Sequence, residues 1–196
     1  MKIGEILYFS PRYKFIDIDW NDKERLLEAF QDRILGFFLD PAKNLNEKKF
    51  AFASGILCVT TIDCLARIET GLNATGKRIK NWLESNIKEF NQPDPDNPSQ
   101  SIAYRFYKEF RNGLVHEGHI TNAGQFSYDS DKLIHFYSKK SGKKVMIINP
   151  ELLLNEIQNS FDKYFEKLQK DESAFESFKK NIINIFKDDI KIALKE

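Results

Sequence analysis

The chain has 196 residues, enough for one domain with a real core or two very small ones. Hydrophobic residues make up 41% and charged residues 30%, the profile of a soluble globular protein. Gly (nine) and Pro (six) are few beside seventeen Phe, which argues against a turn-rich all-β fold, and a net charge of +1 excludes a global basic coat.

Residues 1–20 read as an extended N-terminal arm, because "YKFIDIDW" alternates polar and apolar residues near its end. Glu5 interrupts any signal-peptide pattern, and no long apolar core follows it. Asn21 or Asp22 can cap a first helix running to about Asp40, with Leu26, Leu27, Phe30, Ile34 and Phe37 on one face and Pro41 stopping it. A second helix covers about Glu47 to Glu69. It is apolar or small nearly all round between Phe50 and Ile62, the mark of a central helix. That uncharged run is too short to span a bilayer, so a cytoplasmic protein with no membrane partner is expected. Ala51, Ala53, Ser54 and Gly55 would admit another backbone closely, and Asp63 and Arg67 are spaced for an i,i+4 ion pair. Cys58 and Cys64 fall on roughly opposed faces of this helix and cannot bridge each other, which fits two buried thiols.

A third helix is expected from about Thr75 to Phe90, then a Pro-rich loop over residues 91–100. Ser99 or Ser101 can cap a fourth helix that ends at Gly118. After Gly118 the period changes. Short runs separated by "DSDK" and "KKSGKK" predict an antiparallel hairpin or meander over about residues 124–148. Asn149-Pro150 is a strong helix start, followed by one long helix and an additional C-terminal helix within 171–196. With no repeat and no long linker, residues 1–196 read as a single domain, mainly α, in which an antiparallel helical bundle carries a small β insertion.

The fourth helix, "SIAYRFYKEFRNGLVHEG", has two faces when laid out at about 100° per residue. Ala103, Phe106, Phe110 and Leu114 form a core side. Arg105, Lys108, Asn112 and His116 follow steps of 3, 4 and 4 as a polar stripe opposite it. Val115, between Arg111 and His116, is an apolar residue pointing away from the core, which suits a surface that meets another chain. The plainer account makes His116 a helix-end residue interacting with the dipole and Arg111 the partner of a distant carboxylate.

The stretch "RNGLVH", residues 111–116, resembles the Arg-x4–6-His signature of HEPN domains (higher eukaryotes and prokaryotes nucleotide-binding), in which a polar residue, often Asn, follows the Arg. The resemblance implies an α-helical bundle with the motif toward the end of a helix. It also implies a metal-independent endoribonuclease of toxin–antitoxin or phage-defence systems, needing no cofactor and acting as a homodimer on RNA, with a cognate antitoxin as partner. Arg111 and His116 would be the catalytic pair, Asn112 would orient them, Arg105 and Lys108 would bind, and Val115 would lie in the dimer interface. Other members of the family only bind nucleotides, RNA or proteins, so a non-catalytic module is the alternative. In some toxins of the family a Tyr stands two residues after the His and is modified by a partner nucleotidyltransferase; here that position is Gly118.

The chemistry is consistent with these residue types. Cleavage by the RNA's own 2′-OH needs a base, an acid and positive charge on the phosphorane. His can serve as acid or base near neutrality, and Arg offers a fixed fork for phosphate oxygens. Other signals are weaker. "HEGH" places His116 and His119 three apart rather than four, so no metal site is expected, and no CxxC pair supports zinc. His135 reads as a strand-surface residue. Lys139, Lys140, Lys143 and Lys144 form a basic hairpin tip that suits a solvated turn or RNA phosphates.

Overall fold

A computed structural model describes residues 1–3 and 6–194; residues 4–5 of the expected arm and 195–196 of the expected last helix lie outside the described residues. The fold is mainly α, with small antiparallel and mixed sheets.

The N-terminal segment is not a surface arm. Strands β1 (Lys2–Ile3) and β2 (Ile6–Leu7) pair antiparallel, and Phe9, Phe15 and Ile18 are buried. The rings of Phe9, Phe15 and Trp20 cluster with Phe186 from the far end of the chain. The alternating stretch 13–20 is not extended as expected: a 3-10 turn at Phe15–Asp17 carries Phe15 into the core. Asp32 clamps this segment: its carboxylate accepts from Ser10 Oγ at 2.7 Å, Arg12 N–H at 3.0 Å and Arg12 Nε at 2.6 Å. Burial opposes the Asp32 charge, but these donors outweigh it and hold the carboxyl below its ordinary value of 3.8. The stabilisation is therefore complete above pH 3.8 and is lost as pH falls through the lower folded value. Asp32→Asn is expected to lower stability at pH 7 and to weaken the acid dependence of unfolding below pH 4, measured by urea titrations at several pH values.

Helix α1 (Lys23–Ile34) starts where Asp22 accepts from the Arg25 N–H, and Leu26, Leu27, Phe30 and Ile34 are buried as its spacing predicts. Pro41 does not stop it. A π-helical turn at Leu35–Leu39 leads directly into α2 (Asp40–Glu47), with the Asp40 N–H reaching the Leu35 carbonyl five residues back. Pro41 then falls in the first turn of α2, directly after the change of register. Helix α3 (Ala51–Thr70) is the central element, packed against α2, α4 (Thr75–Asn86), α6 (Pro150–Lys170) and α7 (Glu172–Ile185). By length and composition it could cross a membrane, but half of that apolar window is buried inside the protein. Its small residues admit a side chain as well as a neighbouring helix. Phe126 lies over Gly55 so closely that an added Cβ would stand 2.3 Å from the ring, while Ser54 Oγ donates to the Ala42 carbonyl. Both cysteines are free thiols; burial pushes Cys58 up to about 12 and Cys64 upward, so both stay protonated.

The expected loop at 91–100 contains a short hairpin, β3 (Pro93–Asp94) with β4 (Asn97–Ser101), whose prolines sit at strand positions open to solvent. Ser101 caps α5 (Ile102–Phe106). The β insertion follows as β5 (Gln125–Phe126), β6 (Ile134–Ser138) and β7 (Lys144–Ile148) in the order β5-β7-β6. The hairpin β6–β7 is antiparallel as expected, but β5 runs parallel to β7, so the sheet is mixed rather than a meander. Asn149 caps α6 through Glu151 and Leu152 N–H groups, with Pro150 first in the helix. The expected last helix is two, α7 and α8 (Lys187–Ala193), broken at Phe186, whose ring turns inward to the N-terminal aromatic cluster.

Candidate active site around Arg111 and His116

The motif lies on a π-helical segment, Tyr107–Glu117, that continues α5. Gly118 ends it in the left-handed region at φ 70°, its N–H reaching the Gly113 carbonyl five residues back. This register changes the reading of the motif. On an α-helical wheel Arg111 and His116 are far apart. In an i→i+5 ladder, residues five apart sit roughly one above the other, so the two move toward one face. Gly113 fixes how the segment closes. A Cβ there would stand 2.5 Å from the His119 carbonyl and 3.0 Å from the Thr121 nitrogen, both backbone atoms that cannot swing aside. Gly113→Ala is expected to cost about 1–3 kcal/mol, read as a lower urea midpoint with unchanged slope.

Arg111 is held at its base. Its Nε and Nη2 donate to Asp63 Oδ2 at 3.3 and 3.2 Å, and Nη1 donates to Asn112 Oδ1 at 3.3 Å. The side chain is 17% exposed. Three of the five guanidinium N–H groups are thus engaged and two remain. Asp63 also takes Arg78 of α4 through Oδ1, so the expected Asp63–Arg67 pair does not form. Arg78 is the member of this site that sequence reasoning missed; the spacing picks out Asp63, but with Arg67 as its partner rather than Arg78 and Arg111.

His116 and Val115 are exposed, Val115 at 55%, and no side-chain hydrogen bond to His116 occurs among the described residues. His119 Nδ1 lies 3.0 Å from the Glu117 carbonyl, and His135 is exposed on β6. Among the described residues no group of three His, Cys, Asp or Glu side chains converges on a point where a metal could sit.

Arg105 does not join the polar stripe. It is 7% exposed and acts as a tie between elements. Nε donates to Glu109 Oε1 at 2.9 Å, Nη1 to Asp94 at 3.0 Å and Asp96 at 3.1 Å, and Nη2 to the Lys144 carbonyl. The hairpins β3–β4 and β6–β7 cover this face of α5 and supply the Asp94, Asp96 and Lys144 acceptors, while Glu109 lies on the next turn of the same helix. Burial works against the Arg105 charge, but Glu109 and Asp94 outweigh it and raise its pKa. Burial also raises Glu109 above its ordinary value, against bonds from Asn122 and Arg105. Lys108 is exposed and lines a cleft of about 420 Å³ with Lys139, Lys143 and Lys144. The structure therefore groups Arg111 and Asn112 with Asp63, and Arg105 and Lys108 with the basic hairpin.

Comparison of the chain with protein families, with curated proteins and with solved structures finds no match. Fold and site together describe a mainly α protein with a small β insertion, carrying an Arg-Asn-x3-His motif on a π-helical segment beside a shared carboxylate.

Proposed function

We propose that the chain is a HEPN-like, metal-independent endoribonuclease whose active site is completed where two copies meet. The observation that carries the reading is the pairing of an anchored Arg111, with two donors unspent, and an exposed His116 one π turn later. One His116 takes the proton of the RNA 2′-OH, whose oxygen attacks phosphorus. His116 of the partner subunit protonates the departing 5′-oxygen, leaving a 2′,3′-cyclic phosphate and a 5′-hydroxyl. The spare Arg111 donors meet the charge on the phosphorane. Exposed Val115 beside His116 gives the two copies an apolar contact on the same face, as a symmetric pair requires. A toxin–antitoxin or phage-defence setting in the cytoplasm rests on the family resemblance alone.

The test is a cleavage assay on mixed RNA with EDTA present, alongside light scattering at micromolar protein. Cleavage by a dimer, lost together with dimerisation in Val115→Glu, is the expected result. A monomeric wild type, or a pure dimer that cleaves nothing, counts against it. The second reading is a non-catalytic binding module using the same surface. The Asp63–Arg111 pair favours it, since an Arg that joins two helices has a structural use without chemistry. RNA or nucleotide binding without cleavage would select this reading.

A further inference from the structure

A second cluster of arginines lies on the other side of Asp63. A cavity of about 280 Å³ between α1, α3, α4 and the α7–α8 corner is lined by Arg33, Arg67 and Arg78 together with Asp63 and Phe186. Arg33 is the anomaly. Its guanidinium lies over the rings of Phe9, Phe37 and Phe186, one Nη donates to the Phe9 carbonyl, and Nε is buried with no hydrogen-bond partner. Burial pulls its pKa down. No carboxylate stands within ion-pair distance of it among the described residues; Asp189 acts on it only through space, and the adjoining Cys64 thiol stays protonated. A largely buried cation without a counter-ion costs free energy unless something anionic completes it. Arg67 is exposed and likewise has no ion-pair partner among the described residues, because Asp63 is occupied by Arg78 and Arg111. The cavity thus carries three arginines and one carboxylate, and that carboxylate is already taken by Arg78 and, from outside the cavity, by Arg111.

We propose that this cavity binds a phosphate group, with Arg67 and Arg33 as its principal ligands. Guanidinium forks match phosphate oxygens in shape and number, and the recess limits competition from water. The phosphate belongs either to a small anion such as a mononucleotide or to a phosphodiester of RNA. The inference does not depend on the ribonuclease reading, since neither His116 nor the spare donors of Arg111 line the cavity.

The experiment uses the full chain and three probes: inorganic phosphate, a nucleoside 5′-monophosphate, and a short RNA without terminal phosphates. Each is titrated at matched ionic strength against sodium chloride, reading the melting temperature and, for the nucleotides, direct binding. Phosphate is expected to raise the melting temperature where chloride does not. Arg67→Ala, a surface change, is expected to weaken binding at least about tenfold, the loss of one charge-assisted contact. Arg33→Met, which keeps the stem over the aromatic rings, should do the same. Tighter binding of the RNA assigns the site to a phosphodiester, and tighter binding of the monophosphate assigns it to a small anion. Equal effects of phosphate and chloride, or binding unchanged in both variants, would overturn the proposal. RNA cleavage that persists in Arg67→Ala separates the fate of this site from that of Arg111 and His116.

Discussion

On the proposed ribonuclease function, His116→Ala is expected to lower RNA cleavage by about 10²- to 10⁴-fold, the range a positioned general acid or base contributes, while the melting temperature is expected to stay within about 1 °C of wild type. The second half of that expectation follows from the geometry. His116 is exposed and holds no neighbour by a side-chain hydrogen bond among the described residues, so its removal strands no buried group. Arg111→Ala is expected to abolish that cleavage too, but it also breaks the pair with Asp63 and leaves that carboxylate to Arg78 alone. Its effect on rate is therefore mixed with an effect on stability. Arg111→Lys keeps the charge yet loses the fork that joins Asp63 and Asn112 simultaneously, and it recovers stability better than activity. A His116→Ala protein that cleaves RNA at the wild-type rate would remove His116 from the chemistry.

Arg105→Met has the largest expected effect on stability, a loss of about 3–5 kcal/mol, because it leaves buried carboxylates without their cation. Asp94 and Glu109 are each only 5% exposed, and Glu109 Oε2 already lacks a hydrogen-bond partner. In a chain of this length that loss corresponds to a fall of roughly 6–20 °C in melting temperature. Arg105→Lys restores only part of it, since one ammonium cannot reach Glu109, Asp94, Asp96 and the Lys144 carbonyl together. Adding Glu109→Gln to Arg105→Met should recover some of the loss by removing one stranded charge, a coupling that a double-mutant cycle reads directly. A change below about 1 kcal/mol in the single variant would show that the network carries little weight.

The local chemistry of the chain was legible wherever a residue acts on its own neighbours. Asp22, Ser101 and Asn149 cap the helices they precede, because an N-cap needs only a side-chain oxygen and the N–H two or three residues on. Gly118 ends its helix for an equally local reason, the freedom of glycine at positive φ. Expectation and structure part where the helical register changes or where a distant segment supplies the partner. Pro41 is tolerated because a π turn precedes it, and nothing in a periodic apolar pattern announces that change of register. Strand β5 is only two residues long and pairs parallel with β7, with β6 between them in sequence, while its Phe126 packs over Gly55 of α3.

The candidate site divides in the same way. Composition, spacing and capping are properties of short windows, and they were enough for a mainly α chain, a motif of Arg, Asn and His at a helix end, and an apolar Val115 beside it. Which charges those residues meet depends on packing. Arg105, identical in type to Arg111 and six residues before it, is covered by two hairpins and has four of its five N–H groups engaged by acceptors from three parts of the chain. Arg111 is held by one carboxylate of α3 and keeps donors to spare. The physical reason is that a guanidinium takes its role from the acceptors around it, and acceptors up to 48 residues away in sequence are brought near only by packing.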